Sequence, residues 1–512
     1  MLTQALRPSD RARDAEMRPH AVVIGSGFGG LAAAVRLGAR GYRVTVLEQR
    51  DAPGGRAYVY RQDGFTFDAG PTIITAPFLF DELWALCGKR FRDHVPLTAL
   101  DPFYDIVFDG GERIACSGDA ARMRAEIERL SPRDVEGYER FMRRSEQIYR
   151  VGFEQLGDQP FSSWQDMVRV APDLLRLGGM ESVHSLVARY VRDPRIRFAL
   201  SFHPLFVGGN PFETSAVYCL ISYLERAHGV HFAKGGTGAL ISGLIDLIEG
   251  QNGALRCGAR VQEILVTDGQ ACGVRLESGE VIDASIVVSN ADSTKTYLEL
   301  LPAHARRSAT AWRLRNARQS MSLFVWYFGV RRTFKTVPHH TIVLGPRYRG
   351  LIDDIFKHKR LAPDMSLYLH RPTATDASLA PEGCDAFYVL APVPHLDADI
   401  DWREQAEPFR RRVAQRLSET VLGDFENDVI TSRVMTPLDF RDVLGAEKGA
   451  AFGLEPILTQ SAWFRPHNMS ADVKGLFLVG AGTHPGAGVP GVLSSAKVLD
   501  KVVPHATARL SA

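Results

Sequence analysis

No cysteine in this sequence has a partner at C-x-x-C spacing. The six, Cys87, Cys116, Cys219, Cys257, Cys272 and Cys384, are scattered, which removes the zinc and dithiol signatures. A disulfide framework is not expected at this size and density, and a reducing, cytoplasmic compartment is. Long apolar runs are missing too. The nearest, residues 321–330, is far too short to span a bilayer, so any membrane contact is peripheral, from one side. Residues 1–19 mix Arg7, Arg11, Arg13 and Arg18 with Asp10, Asp14 and Glu16 around no apolar core. They are therefore not a secretory signal and are expected to form a disordered tail. An excess of one charge is absent as well: 61 basic against 59 acidic residues leave +2, which gives no reason to expect nucleic acid as a partner. There is no internal repeat, no low-complexity tract and no cluster that signals a metal.

What remains is long and ordinary in composition. The 512 residues, 45% hydrophobic, can bury a large core and exceed what one core holds, so at least two domains are expected.

The first informative stretch begins at residue 21. Ala21-Val22-Val23-Ile24 reads as a buried parallel strand. Gly25-Ser26-Gly27-Phe28-Gly29-Gly30 follows at once and contains G-x-G-x-x-G. A helix of small residues runs to Gly41, and residues 43–47 read as a second strand closing on Glu48. In such a unit Gly25 permits the tight turn, Gly27 lets the backbone approach a pyrophosphate, and Gly30 lets helix and strand pack closely. The helix N-terminus offers N–H groups to phosphate. Glu48 stands where a carboxylate can accept from a ribose diol. The fingerprint alone leaves FAD and NAD open.

Two further segments bear on that choice. Gly54-Gly55-Arg56 comes just after Glu48. Near the other end, residues 476–492 read as a strand, then a loop with Gly480, Ala481, Gly482, His484, Gly486, Gly488 and Gly491, then a helix. This pairing resembles the large flavoprotein family that includes amine oxidases, protoporphyrinogen oxidase and carotenoid desaturases. The resemblance implies FAD, held by Gly25, Ser26, Gly27, Gly30, Glu48, Gly55, Arg56, Gly480, Ala481 and Gly491. It also implies that Val261, in residues 260–264, meets the adenine through its backbone. The family often carries an acid where this chain has Ala481. No second G-x-G-x-x-G exists in the sequence, so a reductase drawing on NADPH is not expected.

The implied fold is α/β: a Rossmann-like FAD-binding domain assembled from discontinuous segments, residues 20–75, 236–300 and 445–505, with an inserted α+β substrate domain, residues 76–235 and 301–444. Residues 76–234 read as mostly helical, with amphipathic helices at 120–130 and 135–150. Residues 320–394 read as strand-rich, at 323–328, 341–344, 366–370 and 386–390.

The match then narrows. Residues 201–212 (Ser-Phe-His-Pro-Leu-Phe-Val-Gly-Gly-Asn-Pro-Phe), Phe65 with 68–72, 370–372, 460–468 and 480–492 are similar to signatures of bacterial phytoene desaturases, over residues 20–503. That resemblance implies stepwise desaturation of phytoene to neurosporene or lycopene, the flavin taking a hydride from the saturated bond. With no second nucleotide site visible in the sequence, a membrane quinone or oxygen is the expected electron acceptor. Phytoene has no polar group, so recognition must come from an apolar tunnel, for which the strand 324–328 and the cluster Phe202, Phe206 and Phe212 are candidate walls. A substrate dissolved in a bilayer implies a peripheral membrane protein, with residues 161–191, rich in Trp164, Met167, Val168 and Leu177, as a candidate interface. His203 and His484 lie inside the signature segments and are the candidate proton acceptors. Loss of the proton to water or a backbone carbonyl stays open. So do a hydroxycarotenoid 3,4-desaturase, a carotenoid isomerase, an amine or porphyrinogen oxidase, and a non-enzymatic lipid-escort protein of the same fold.

Overall fold

Four apolar residues in a row cannot all face one side of a strand. The computed structural model describes residues 18–161 and 163–507, except the side chains of Leu174 and Leu175. In it β1 (His20–Ile24) is buried on both faces. Ala21 and Val23 enter a core beneath helices, while Val22 and Ile24 enter a second core on the opposite face. Of the expected tail, all but Arg18 and Pro19 lies outside the described residues.

After β1 come α1 (Phe28–Ala39) and β2 (Arg43–Leu47). The chain then departs and returns with α2 (Thr237–Gly250), β3 (Ala254–Arg256) and β4 (Ile286–Ser289). It departs again before β5 (Leu476–Leu478) and α3 (Val489–Val502). The five strands form one parallel sheet in the order β5-β4-β1-β2-β3. α1 packs against both α2 and α3. A three-stranded antiparallel sheet (Val261–Thr267, Gln270–Leu276, Val281–Asp283) shares the core on the other face. Parallel strands need both faces covered, which accounts for the unbroken apolar runs. Residues 281–289 hold two strands: Val281–Asp283 closes the antiparallel sheet and β4 joins the parallel one. At three residues, β3 is too short to leave a pattern.

The second layer is a seven-stranded sheet. Its order is Val429–Met435, Ser322–Val330, Asp385–Val393, Leu367–His370, His340–Val343, Tyr104–Val107 and Arg113–Cys116. All neighbours are antiparallel except His340–Val343 and Tyr104–Val107. Residues 76–234 are mostly helical, as their sequence reads, but the last two strands of this sheet lie among those helices; each is only four residues long, below the span that alternation needs to declare itself. The helices Ala120–Leu130 and Val135–Tyr149 form where helical spacing places them, the first capped by the Asp119 carboxylate, which accepts from the Ala121 and Arg122 amides.

The strand Ser322–Val330 is buried along its whole length, and alternation divides it. Leu323, Val325 and Tyr327 face one core. Phe324, Trp326 and Phe328 face another, beneath the helix Trp402–Leu417, whose Trp402, Phe409 and Val413 pack there. Trp326 stacks on Phe328 with centroids 4.2 Å apart and donates its Nε1–H to Ser432 Oγ at 2.8 Å. Trp326→Ala is therefore expected to cost about 3–5 kcal/mol of stability. Val325→Ala, which borders a cavity, should cost less than half of that. Urea unfolding of the two variants checks the difference.

Candidate functional site

The turn after β1 is built around a glycine. Gly25 has φ +91°, a region that L side chains rarely adopt, and donates its N–H to Leu47 O at 2.7 Å. A Cβ on Gly30 would collide with the Gly25 carbonyl oxygen, so only glycine lets α1 begin this close to the turn. Glu48, 4% exposed, holds the next residue: Ser26 donates its hydroxyl (2.5 Å) and its backbone N–H (3.0 Å) to Oε2, while the Arg50 amide donates to Oε1 at 3.0 Å. α1 has no side-chain cap, which leaves its first N–H groups for an anion.

The second loop meets the first over one asparagine. Asn290 follows β4 directly. A Cβ on Gly27 would lie 3.0 Å from Asn290 Nδ2. One on Gly29 would lie 2.6 Å from Asn290 Oδ1 and 3.0 Å from Gly480 Cα, and one on Gly480 would strike the same amide oxygen. The late loop is then buttressed from behind. Gly480 N–H donates to Ser495 Oγ at 2.8 Å. Arg465, 1% exposed, donates to the Ala481 carbonyl at 2.7 Å, and Asn468 Nδ2 donates to the His484 carbonyl at 2.9 Å. The signature in residues 460–468 is thus a brace for the loop. α3 also starts without a side-chain cap.

Both loops open on one continuous cavity. Gly25, Ser26, Gly27, Glu48, Gly55, Arg56, Val261, Gly480, Ala481, Gly491 and His484 all line it. Its cradle half fits the pyrophosphate and ribose of FAD: two uncapped helix N-termini face it, glycines stand where a Cβ would intrude, and the buried Nε of Arg56 has no partner. Gly30 does not line the cavity; its place is the helix–turn contact above. His203 does not line it either, which corrects its reading as a candidate proton acceptor. Its ring stacks on Phe202 (4.4 Å) and its Nε2 lies 3.2 Å from Tyr104 OH and 3.3 Å from Glu225 Oε2.

Among the lining residues not anticipated are Asn290, Asp292 and Glu225. The first two follow the C-terminal end of a central parallel strand, where ligands of such sheets bind, and that position was a signal available in the sequence. Asp292 caps the Ser293–Lys295 turn, accepting from the Thr294 amide at 2.8 Å. Its Oδ2 and the Ala481 carbonyl oxygen each lie 3.9 Å from the point where a Gly453 Cβ would be. Both groups thus flank Gly453 at the cavity.

The other half of the cavity is apolar. Leu323, Val325, Phe202, Phe206, Ile342 and Leu390 contribute to it. Of the expected walls, Phe324 and Phe328 point into the opposite core, and Phe212 packs on Tyr348 and His184 instead. Strand alternation decides the first two. Behind this wall His339, His340 and His370 bring ring nitrogens within 4.8 Å of one another. His340 and His370 lie nearly parallel (23°), and His370 Nε2 is 3.1 Å from His339 Nε2. Stacked rings do not radiate from a common centre as metal ligands do, and Arg371 adjoins them. Burial pulls the His339 imidazole down to about 3 and holds His340 and His370 well below the ordinary histidine range, so the cluster is neutral at pH 7.

If the two loops form the nucleotide cradle, Gly27→Val drives a branched side chain onto Asn290 and the bound phosphates. The variant is expected to purify folded but colourless, with flavin absorbance near 450 nm (approximately the flavin maximum) reduced to a small fraction of the parent's. A yellow variant would contradict the assignment.

A model of the family described as flavin containing amine oxidoreductase matches residues 28–498. The lycopene-forming phytoene desaturase of Pseudescherichia vulneris is 50% identical over 477 residues, 93% of this chain and 97% of that protein. The neurosporene-forming phytoene desaturase of Cereibacter sphaeroides is 50% identical over 491 residues, 95% of each. Among solved structures, a putrescine oxidase variant superposes with TM-score 0.64 at 14% identity, covering 96% of this chain and 99% of that one, which speaks to the fold alone. The paired glycine loops, the cradle they form and these likenesses agree: the chain is an FAD-dependent oxidoreductase and belongs to the flavin-containing amine oxidoreductase family, in its phytoene desaturase branch.

Proposed function

We propose that this protein desaturates phytoene stepwise to neurosporene or lycopene, working as a peripheral protein on the cytoplasmic side of a membrane. The observation that carries the reading is the single cavity that joins the nucleotide cradle to an apolar tunnel. FAD, when bound, supplies the two-electron acceptor for the hydride.

The chain's own residues do the rest. An apolar wall binds hydrocarbon by area, at roughly 25 cal/mol per Å² removed from water. Polar groups on that wall are costly unless paired, and the hydroxyls of Thr72, Tyr368 and Tyr388 are paired. Thr72 Oγ1 lies 2.7 Å from Tyr388 OH and 3.1 Å from Tyr368 OH, and Tyr368 OH lies 2.8 Å from His340 Nδ1. His484, which faces the cavity, is pulled down to about 4 by burial. It therefore adds no charge beside the hydrocarbon at neutral pH.

Membrane contact has its support at the helix Trp164–Arg176. Trp164 is 62% exposed and Val168 59% exposed, while Met167 and Phe161 line the cavity. Met180 and Phe464 are exposed as well, and the helix packs beside Ala462–Phe464. An exposed apolar ridge next to a cavity opening suits extraction of a lipid-dissolved substrate. No helix among the described residues is long and apolar enough to cross a membrane. Quinone or oxygen is the proposed electron acceptor, supported by the single glycine fingerprint in the sequence.

Expression in a phytoene-producing host, followed by pigment separation, tests the reaction. Coloured neurosporene or lycopene is expected, and unchanged phytoene sinks the proposal. Assays with purified protein under argon, with and without added quinone, identify the acceptor. Trp164→Ser combined with Val168→Ser should lower co-sedimentation with phosphatidylcholine vesicles while flavin content stays constant. Undiminished binding would place the membrane contact elsewhere.

A further inference from the structure

Removing a hydride and a proton from adjacent carbons needs a proton acceptor inside a cavity that is otherwise hydrocarbon. Neither histidine singled out by sequence fills that need directly: His203 is behind the wall, and His484, whose Nε2 faces the Leu156 carbonyl at 3.4 Å, is pulled down to about 4 by burial and is a weak base. The cavity is lined by three carboxylates, Glu48, Asp292 and Glu225. Glu48 is committed to Ser26 and Arg50, and Asp292 follows β4 by the glycine loops, where it caps the Ser293–Lys295 turn.

Glu225 alone stands on the apolar side. It sits on the helix Leu220–His228, 4% exposed, with cavity-lining Ile221 and Leu224 before it. Tyr104 OH donates to its Oε2 at 2.7 Å, and His203 Nε2 lies 3.3 Å from the same oxygen. Oε1 has no hydrogen-bond partner. The phenol and the imidazole thus hold one carboxyl oxygen and orient the group, while the other is uncommitted. Phe202, stacked on His203, and Phe206, edge-on to Phe202 at 5.1 Å, carry the cavity wall from this carboxylate toward Tyr368. A buried oxygen with no partner is costly, and a positively charged hydrocarbon would be its natural counterpart.

We infer that Glu225 is the proton acceptor of the desaturation, with His203 and Tyr104 as its positioning residues; this rests on the proposed reaction. The balance is as follows. One C–H bond leaves with its electron pair, as hydride, to the oxidised flavin, and the carbon left behind is an allylic cation. The C–H bond on the adjacent carbon then gives its pair to the new C=C bond. Its proton goes to Glu225 Oε1, which becomes a neutral carboxylic acid. Before that transfer the same carboxylate stabilises the cation electrostatically.

Two measurements test this, one of them independent of turnover. The flavin-loaded protein, without phytoene, is titrated with N,N-dimethylfarnesylamine, protonated at pH 7, and with the hydrocarbon of the same shape that ends in isopropyl. The parent should bind the ammonium about tenfold more tightly, as an opposite charge in a low-dielectric wall requires, and Glu225→Gln should bind both alike. In the flavin-loaded enzyme Glu225→Gln should lower kcat for phytoene by about 100-fold or more, with flavin absorbance and KM near the parent's. Glu225→Asp keeps a carboxylate and should retain the ammonium preference and part of the turnover, which covers the case in which the glutamine variant fails to fold. Turnover of Glu225→Gln within about twofold of the parent, or absence of any ammonium preference in the parent, overturns the inference. Failure of the parent itself to convert phytoene would instead overturn the reaction, and the binding comparison would still report on Glu225.

Discussion

Two glycine loops from opposite ends of the chain meet over the amide of Asn290, and the rest of the molecule is arranged to let them do so. At Gly27, Gly29 and Gly480 a single methyl group would reach the asparagine. The contact aligns two uncapped helix N-termini on one cradle and fixes the floor of the cavity. Arg465 and Asn468 then spend their donors on the carbonyls of Ala481 and His484, so the late loop is held from outside as tightly as from within. A buried guanidinium bonded to backbone carbonyls is a strong brace because leaving those donors unpaired would cost more than ordering them.

The cavity joins two environments that ask for opposite chemistry. At one end, peptide dipoles and an unpaired arginine Nε await an anion. At the other, hydroxyls are bonded to one another and histidines are kept neutral by burial, so that the wall presents no free charge to a hydrocarbon except at Glu225. Such a division explains why Phe324, Trp326 and Phe328 do not touch the cavity although their strand borders it. Half of each strand is needed to anchor the sheet on the helix Trp402–Leu417.

The sequence made the first strand, its glycine turn, Glu48 and the late loop legible, because steric and dipolar demands there admit few residue types. It was silent where burial erases contrast. Ser322–Val330 is covered on both faces, so no polar alternation marks which aromatic residues face inward, and Phe324 and Phe328 read as well as Leu323 and Val325. Tyr104–Val107 was missed because four residues with an aspartate among them carry no period. His203 was picked out by its signature segment, but its role depends on Glu225, which lies on another element and in no distinctive motif. Asn290 was within reach, as the residue that ends a central parallel strand.

The interrupted order of the cofactor domain has a consequence for biosynthesis. β1 and its loop emerge from the ribosome first, yet the strand and glycines that complete their cradle lie beyond residue 475. Flavin capture must therefore wait until the segment through Val502 has been made. Until then β4 lacks its strand neighbour β5, and contacts of such long sequence separation form slowly. Availability of FAD during synthesis is thus a factor in the yield of folded enzyme, not only in its activity.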